Sequence, residues 1–290
     1  MSAAVAVRPK VAGVRLWVRA FPTLLRIGLA EALAYRAEML VWMLTTTMPL
    51  VSMVLWQSAA QGTQLGPTKL GSAELTAYFL LTLVVRLSTS SWVLWLLTED
   101  IRSGALAQRL LRPVHPLLGY VASQLASMPL RGALVLPLAI ALLWNLSPHS
   151  LTHDPVQVAL FVLSLPGAWL LSFLSMTFVG LLAFYIDSAA GLFYVWVGLY
   201  TIFSGYLIPL VLLPAWLGKL ATWLPFQYML EVPVRMLLGW PIAGGARDTI
   251  AGRLGALQSL GIQYLYVGVL LLAVMLLWRA GLKRYASFGG

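Results

Sequence analysis

The chain has 290 residues, 60% of them hydrophobic and only 10% charged, with a mean hydropathy of +0.87. Soluble domains are about a quarter charged, so this composition describes an integral membrane protein. The net charge of +10 would point to nucleic acid in a soluble protein, but here the basic residues gather at the ends of apolar runs, and the absence of cysteine excludes a disulfide framework or a thiolate metal site.

In chain order, the N-terminus comes first. Arg15, Arg19 and Arg26 interrupt its first apolar stretch, which argues against a cleavable signal peptide. The same arginines share one helical face, while Trp17, Phe21 and Leu24 take the opposite one. Residues 1–38 therefore predict an amphipathic helix on the inner membrane surface, or an irregular basic tail if Pro22 interrupts it. Beyond it, six segments offer the roughly 20 apolar residues that a span needs. They run near Met39 to Trp56, Leu75 to Leu97, Leu125 to Trp144, Gln157 to Ile186, Ala189 to Leu213 and Ile262 to Trp278. Trp56, Trp92, Trp95, Trp144 and Trp278 fall near span ends, where aromatic rings meet headgroups.

Six spans place both termini on one side. That side holds the six basic residues before the first span, then Arg102, Arg109 and Arg112, then Arg279, Lys283 and Arg284. The other holds only Lys69, Lys219, Arg235, Arg247 and Arg253, so the termini are expected in the cytoplasm of a cell, with the chain a multi-pass protein of the inner membrane. Arg86 lies near the middle of the second span, where a charge costs at least about 2.5 kcal/mol. It reads either as a path-lining cation for an anionic or polar substrate, or as half of an ion pair with a partner subunit or a helix end. Ser88, Thr89, Ser90 and Ser91 make that half of the span polar and, with Trp92, suggest a cavity-facing helix. Arg131 sits nearer a span end and is expected to snorkel.

Between the second and third spans the chain reads EDIRSGALAQRLLRPVHP, from Glu99 to Pro116. Arg102, Arg109 and Arg112 share one side of a helical wheel beside a ridge of Leu106 and Leu110, and Pro113 closes the pattern. This predicts a short amphipathic helix that rests on anionic lipid or on a protein. Further along, His149, His153 and Asp154 come close in sequence, but Pro148 and Pro155 work against the helix that would make them a metal site. Asp187 and Ser188 read as an N-terminal cap for the fifth span. Gly191, Gly198 and Gly205 recur every seven residues and would let another helix approach. Residues 214–261 are too apolar for a loop and too rich in proline to cross, so they predict short re-entrant outer helices anchored by Trp216, Trp223 and Trp240. Within them, Glu231 either pairs with Arg235 or gates an exit.

The loop resembles a signature of the permease subunits of type-two ATP-binding-cassette exporters: an acid, then Gly, a small residue and Leu, then a Leu-rich turn and Pro. Here these are Glu99 and Asp100, Gly104-Ala105-Leu106, and Leu110-Leu111-Arg112-Pro113. SGYLIPLVLLPAWLGKLATWLPFQYMLE is similar to the family's stretch after its fifth span. DIRSGALAQRLLRP is nearest to a branch that often works as unlike pairs, some of whose members are linked to export of cationic toxicants.

The resemblance implies an all-α fold: a single permease domain over 1–290, with an amphipathic N-terminal helix, six spans, re-entrant outer helices and a coupling loop at 98–117. In that family the loop docks on a cytoplasmic ATPase. Glu99 and Asp100 would pair with basic groups of the ATPase or of the N-terminal helix, and Arg102 would lie on the loop's basic side. Gly104 would permit close backbone approach, Leu106 and Leu110 would fill the ATPase groove, Arg109 and Arg112 would meet acids at its rim, and Pro113 would end the helix. The family more often has an acid two places after the Leu, where this chain has Gln108.

No Gly-x-x-x-x-Gly-Lys-Ser/Thr loop is present, so ATP and Mg belong to the partner ATPase dimer and this chain binds no cofactor of its own. The expected function is the transmembrane subunit of an exporter, with a second permease and membrane lipid as further partners. It would move an amphipathic small molecule, a drug or toxicant, or a lipid-like compound along a path lined by Arg86, Ser90 and Trp92. A secondary transporter or channel is the alternative, and a membrane enzyme acting on lipid is a third class. Against these stand the missing paired membrane carboxylates and the missing acid, base and nucleophile set.

Overall fold

The computed structural model describes residues 14–34, 41, 47–60, 70–145, 151–186, 189–242 and 249–285. Those residues form helices and turns, with no β-strand among them. The order is α1 (Val14–Ala34), α2 (Met48–Ala59), α3 (Ser72–Thr89), α4 (Val93–Arg102), α5 (Ala105–Leu110) and α6 (Pro116–Ala126). It continues with α7 (Met128–Asn145), α8 (Pro155–Leu181), α9 (Ala189–Phe203), α10 (Ala215–Thr222), α11 (Glu231–Leu238) and α12 (Ile250–Leu282).

Three stretches are long and apolar enough to cross a membrane: Ser72–Arg102, Pro155–Phe184 and Ile250–Leu282. They coincide with the second, fourth and sixth predicted spans. The first is represented by α2, and its earlier part, apart from Val41, lies outside the described residues. The third is divided at Ser127 into α6 and α7. The fifth ends at Phe203, ten residues short of the predicted Leu213. Gly205 takes φ +83 there, a left-handed conformation that stops the helix, and Pro209 follows. The sixth begins earlier than predicted, at Ile250, where the Thr249 hydroxyl accepts from the Gly252 amide at 3.1 Å. Residues 250–261 are thus the first turns of α12 and leave the outer segment shorter than expected.

The core is built on α3 and α8. In α3, Leu75, Tyr78, Phe79, Leu81, Leu83 and Val85 are all buried, although they point in every direction around the helix. A helix apolar and buried on all sides belongs at the centre of the bundle. Opposite α3, α12 packs along α8 and turns Leu254, Leu265, Val269, Leu272 and Leu276 outward, as a hydrocarbon-facing helix does. One buried amide ties this pair: Gln263 donates to the Ser164 carbonyl at 3.0 Å and to the Tyr228 carbonyl at 2.8 Å. Gly167 makes room for it, since a Cβ there would lie 2.7 Å from Gln263 Oε1. α1 runs unbroken through Pro22 and lies on α6, where Gly28 brings its backbone against Ala126 and Ser123. Arg19 and Arg26 stay exposed, alongside Ile27 and Leu33.

Candidate functional site

The segment from Glu99 to Pro116 folds as an elbow between α4 and α6. α4 ends at Arg102, and Gly104 turns the chain with φ 78. A side chain in that left-handed conformation is strained by about 1–2 kcal/mol, so Gly104 serves the turn itself rather than close approach to a partner. The Ser103 hydroxyl donates to the Glu99 carbonyl at 2.7 Å and accepts from the Ala105 amide, which starts α5. α6 opens with Pro116 in its first turn, capped by His115 Nδ1, which accepts from the Leu117 amide at 3.2 Å. Burial holds the His115 imidazole below the usual histidine range, which favours the neutral ring that this cap requires. The ring also lies 5.3 Å from Trp278, joining the elbow to the far end of α12.

Several predicted roles in the elbow are redistributed. Asp100 is buried, and side chains of the elbow and of α6 hold its carboxylate. Its Oδ2 accepts from the Tyr120 hydroxyl at 2.6 Å and pairs with Arg109 Nε at 2.7 Å. The Arg109 guanidinium lies 5.0 Å from the centre of the Tyr120 ring, so one Arg, one Asp and one Tyr close a clasp across the elbow. Burial, followed by the hydrogen bond to Asp100, raises the Tyr120 phenol well above its ordinary value and keeps it a proton donor. Arg109 is therefore committed inward. Leu106 is fully buried and Leu110 partly so, both packed on the chain's own core. What projects instead is Leu111, 87% exposed, with Arg112 and Pro113 beside it and Glu99, Arg102 and Gln108 also at the surface.

Upstream, the second span is broken. α3 stops at Thr89, Ser90 is extended, and α4 starts only at Val93. The groups freed by the break find partners on the third span. Gln124 Oε1 accepts from the Trp92 amide at 3.1 Å and from the Ser91 hydroxyl at 3.4 Å, while Arg131 Nη1 donates to the Ser90 carbonyl at 2.8 Å and to its hydroxyl at 3.2 Å. Arg131 does not snorkel, because the break gives it an acceptor at membrane depth. Ser90 is buried and taken up by Arg131, and the partly buried Trp92 packs on the core 6.4 Å from Phe193. Arg86 is buried one turn before the break, with its guanidinium 4.4 Å from the Tyr200 ring and 5.6 Å from that of Tyr206.

Comparison with known proteins gives this geometry a family. Residues 69–289 match the family described as ABC-2 family transporter protein, well over half of the chain. The chain belongs to the ABC-2 transporter family. No curated protein and no solved structure matches it. ABC-2 membership makes this chain a multi-pass transport subunit and implies partnership with an ATP-binding-cassette ATPase.

The matched region of the ABC-2 chain also includes the outer segment. Glu231 is buried, and its Oε2 accepts from the Leu210 amide at 2.8 Å and lies 3.4 Å from the Tyr78 hydroxyl. That hydroxyl donates to the Gly205 carbonyl at 2.7 Å, and Arg235 Nη1 stands 3.6 Å from Glu231 Oε1. The pairing with Arg235 is thus present, within a knot that joins α3, the turn after α9, and α11. Gly205 belongs to this knot and not to a glycine ridge, since a Cβ on it would strike Tyr78 and Glu231. Gly191 and Gly198 remain on α9, and among the described residues nothing lies within 4 Å of where a Cβ on either would stand.

Of His149, His153 and Asp154, which the flanking prolines argue against as a metal site, His149 lies outside the described residues, as do Asp187 and Ser188. Asp154 instead caps α8, accepting from the Val156 amide at 3.1 Å, and pairs with Arg253 Nε at 2.6 Å. The Arg253 hydrogen bond lowers the Asp154 carboxyl below its ordinary value. No group of metal-binding residues occurs among the described residues.

In the sequence, Leu111 has a place in the motif but no role, and neither Tyr120 nor Gln124 is marked. A Pro in the first turn of α6 signalled the His115 cap, whereas nothing local marks Tyr120 as the partner of an acid twenty residues earlier.

Proposed function

We propose that this ABC-2 chain is the transmembrane subunit of an exporter. It would pair with a second permease, identical or related, and carry an amphipathic small molecule or a lipid-like compound out of the cell, driven by two cytoplasmic ATPases. The observation that carries the reading is the elbow: a leucine bare to water beside Arg112 and Pro113, at the tip of a loop made rigid by Asp100, Arg109 and Tyr120. A leucine displayed on a stiff, charged support suits docking better than it suits solvent. The tip comprising Leu111, Arg112 and Pro113, with Arg102 and Gln108, would meet the ATPase, while Leu106 and Arg109 support it from within. Movement of the elbow would pass to α4 and α6, on either side of the break at Ser90. Gly191 and Gly198, open among the described residues, would face the second permease.

The test is co-purification of the ATPase from membranes. Leu111→Asp is expected to reduce the recovered ATPase about tenfold or more, with the permease's thermal stability unchanged because the side chain is exposed. Full retention of the ATPase by both Leu111→Asp and Arg112→Glu would overturn the docking assignment.

A further inference from the structure

Two arginines flank the break in the second span, and no acid among the described residues pairs with either. The ion pairs among the described residues join Asp100 to Arg109, Glu231 to Arg235 and Asp154 to Arg253, and none includes Arg86 or Arg131. Arg86 is only 9% exposed and rests on the faces of Tyr200 and Tyr206, while its Nε has no hydrogen-bond partner. Aromatic faces soften a buried charge but supply no acceptor for its N–H groups. Ser90 links the two: its amide donates to the Arg86 carbonyl at 3.0 Å, and its carbonyl accepts from Arg131 Nη1 at 2.8 Å. Two like charges and an unmet donor in one low-dielectric place are a standing demand for negative charge.

Resting on the exporter reading, we propose that Arg86 and Arg131 bind the anionic headgroup, a carboxylate, sulfonate or phosphate, of an amphipathic substrate. A cationic headgroup is disfavoured twice over: two guanidinium groups repel it, and Arg86 already occupies the tyrosine faces that would receive it. A planar guanidinium suits a two-oxygen anion, and the unpartnered Nε of Arg86 is the donor such a group would engage. Apolar volume for a tail lies close by. Trp196 stacks on Tyr200, with centroids 5.1 Å apart, and also lines a cavity of about 280 Å³ with Leu192, Leu199, Phe226 and Leu270. The tail space is therefore two stacked rings away from the Arg86 guanidinium.

The experiment measures binding of radiolabelled laurate to the full permease complex in lipid nanodiscs, against empty discs, with dodecyltrimethylammonium and dodecyl maltoside as competitors of equal tail length. Saturable laurate binding that resists both competitors is expected. Arg86→Gln should weaken it about tenfold or more, the loss of a charge-assisted hydrogen bond, and Arg86→Lys should restore part of it. Absence of saturable binding, equal competition by the cationic probe, or an unchanged affinity in Arg86→Gln would overturn the proposal. So would separation of the paired permeases by Arg86→Gln, which would assign the missing negative charge to a carboxylate of the second permease. Charge selectivity is read on the unaltered chain, so it decides the matter even where a variant fails to fold. If no ATPase co-purifies with the unaltered chain, the exporter reading falls, whereas laurate binding tests the headgroup site separately.

Discussion

The elbow and the outer segment are each tied by an acid, an arginine and a tyrosine, yet the two ties do different work. In the elbow, Asp100 receives two side chains, Tyr120 at 2.6 Å and Arg109 at 2.7 Å, and the arginine remains 31% exposed. In the outer segment, Glu231 receives a backbone amide at 2.8 Å, its tyrosine donates chiefly to the Gly205 carbonyl, and the arginine stands back at 3.6 Å. The inner tie sets the shape of a projecting tip. The outer one satisfies main-chain groups that a helix end and two turns would otherwise leave open inside the protein. The same three residue types therefore hold side chains at a partly exposed tip in one place and backbone in the interior in the other.

This contrast is open to direct attack. The largest effect is expected from Glu231→Ala, which strands the Leu210 amide and leaves Arg235 without its acid. Thermal unfolding in detergent should show a loss of about 3 kcal/mol, with Glu231→Gln milder because an amide oxygen still accepts. A drop no larger than that of an exposed substitution would remove the distinction between the two ties. Asp100→Ala comes next, at about 2 kcal/mol after allowance for the partly exposed Arg109. Its greater cost should fall on ATPase recovery; normal recovery with a collapsed unfolding temperature would make the elbow merely structural. The smallest effect is a pH response of the elbow alone. The folded His115 lies below the ordinary histidine value of about 6.5, so its cap contributes fully above that value. The contribution, about 1 kcal/mol, is lost as pH falls through the lower folded value, since a protonated Nδ1 no longer accepts from Leu117. Hydrogen exchange at the start of α6 should accelerate on mild acidification, and His115→Gln should flatten the response.

Much of the plan was legible in the sequence. The second, fourth and sixth spans follow from apolar length, and the elbow follows from its glycine, leucine ridge and proline. The direction of that ridge was not legible. A helical wheel places Leu106 and Leu110 on one side, but whether that side meets the chain's own core or another protein depends on α4 and α6, which pack over it. The break at Ser90 to Trp92 hides for a related reason: four small polar residues at a span end look like a wet helix, and only the positions of Gln124 and Arg131 on another span show that they are an interruption with its hydrogen bonds met. Gly205 keeps a seven-residue rhythm with Gly191 and Gly198, but periodicity cannot show that the helix has already ended.

Gln263 has a consequence for the order in which the molecule is completed. Apolar helices in lipid have little to stop them from sliding or turning against each other. Its single carboxamide reaches a carbonyl of α8 and a carbonyl of the outer turn at once, so a shift of one residue in α12 would swing it away from both. α12 follows both α8 and the Tyr228 turn along the chain, so it is synthesised after them. Until it arrives, the Tyr228 turn lacks one of its fastenings, so α12 acts as a key: it indexes its own height against α8 and, in the same step, secures the turn made before it.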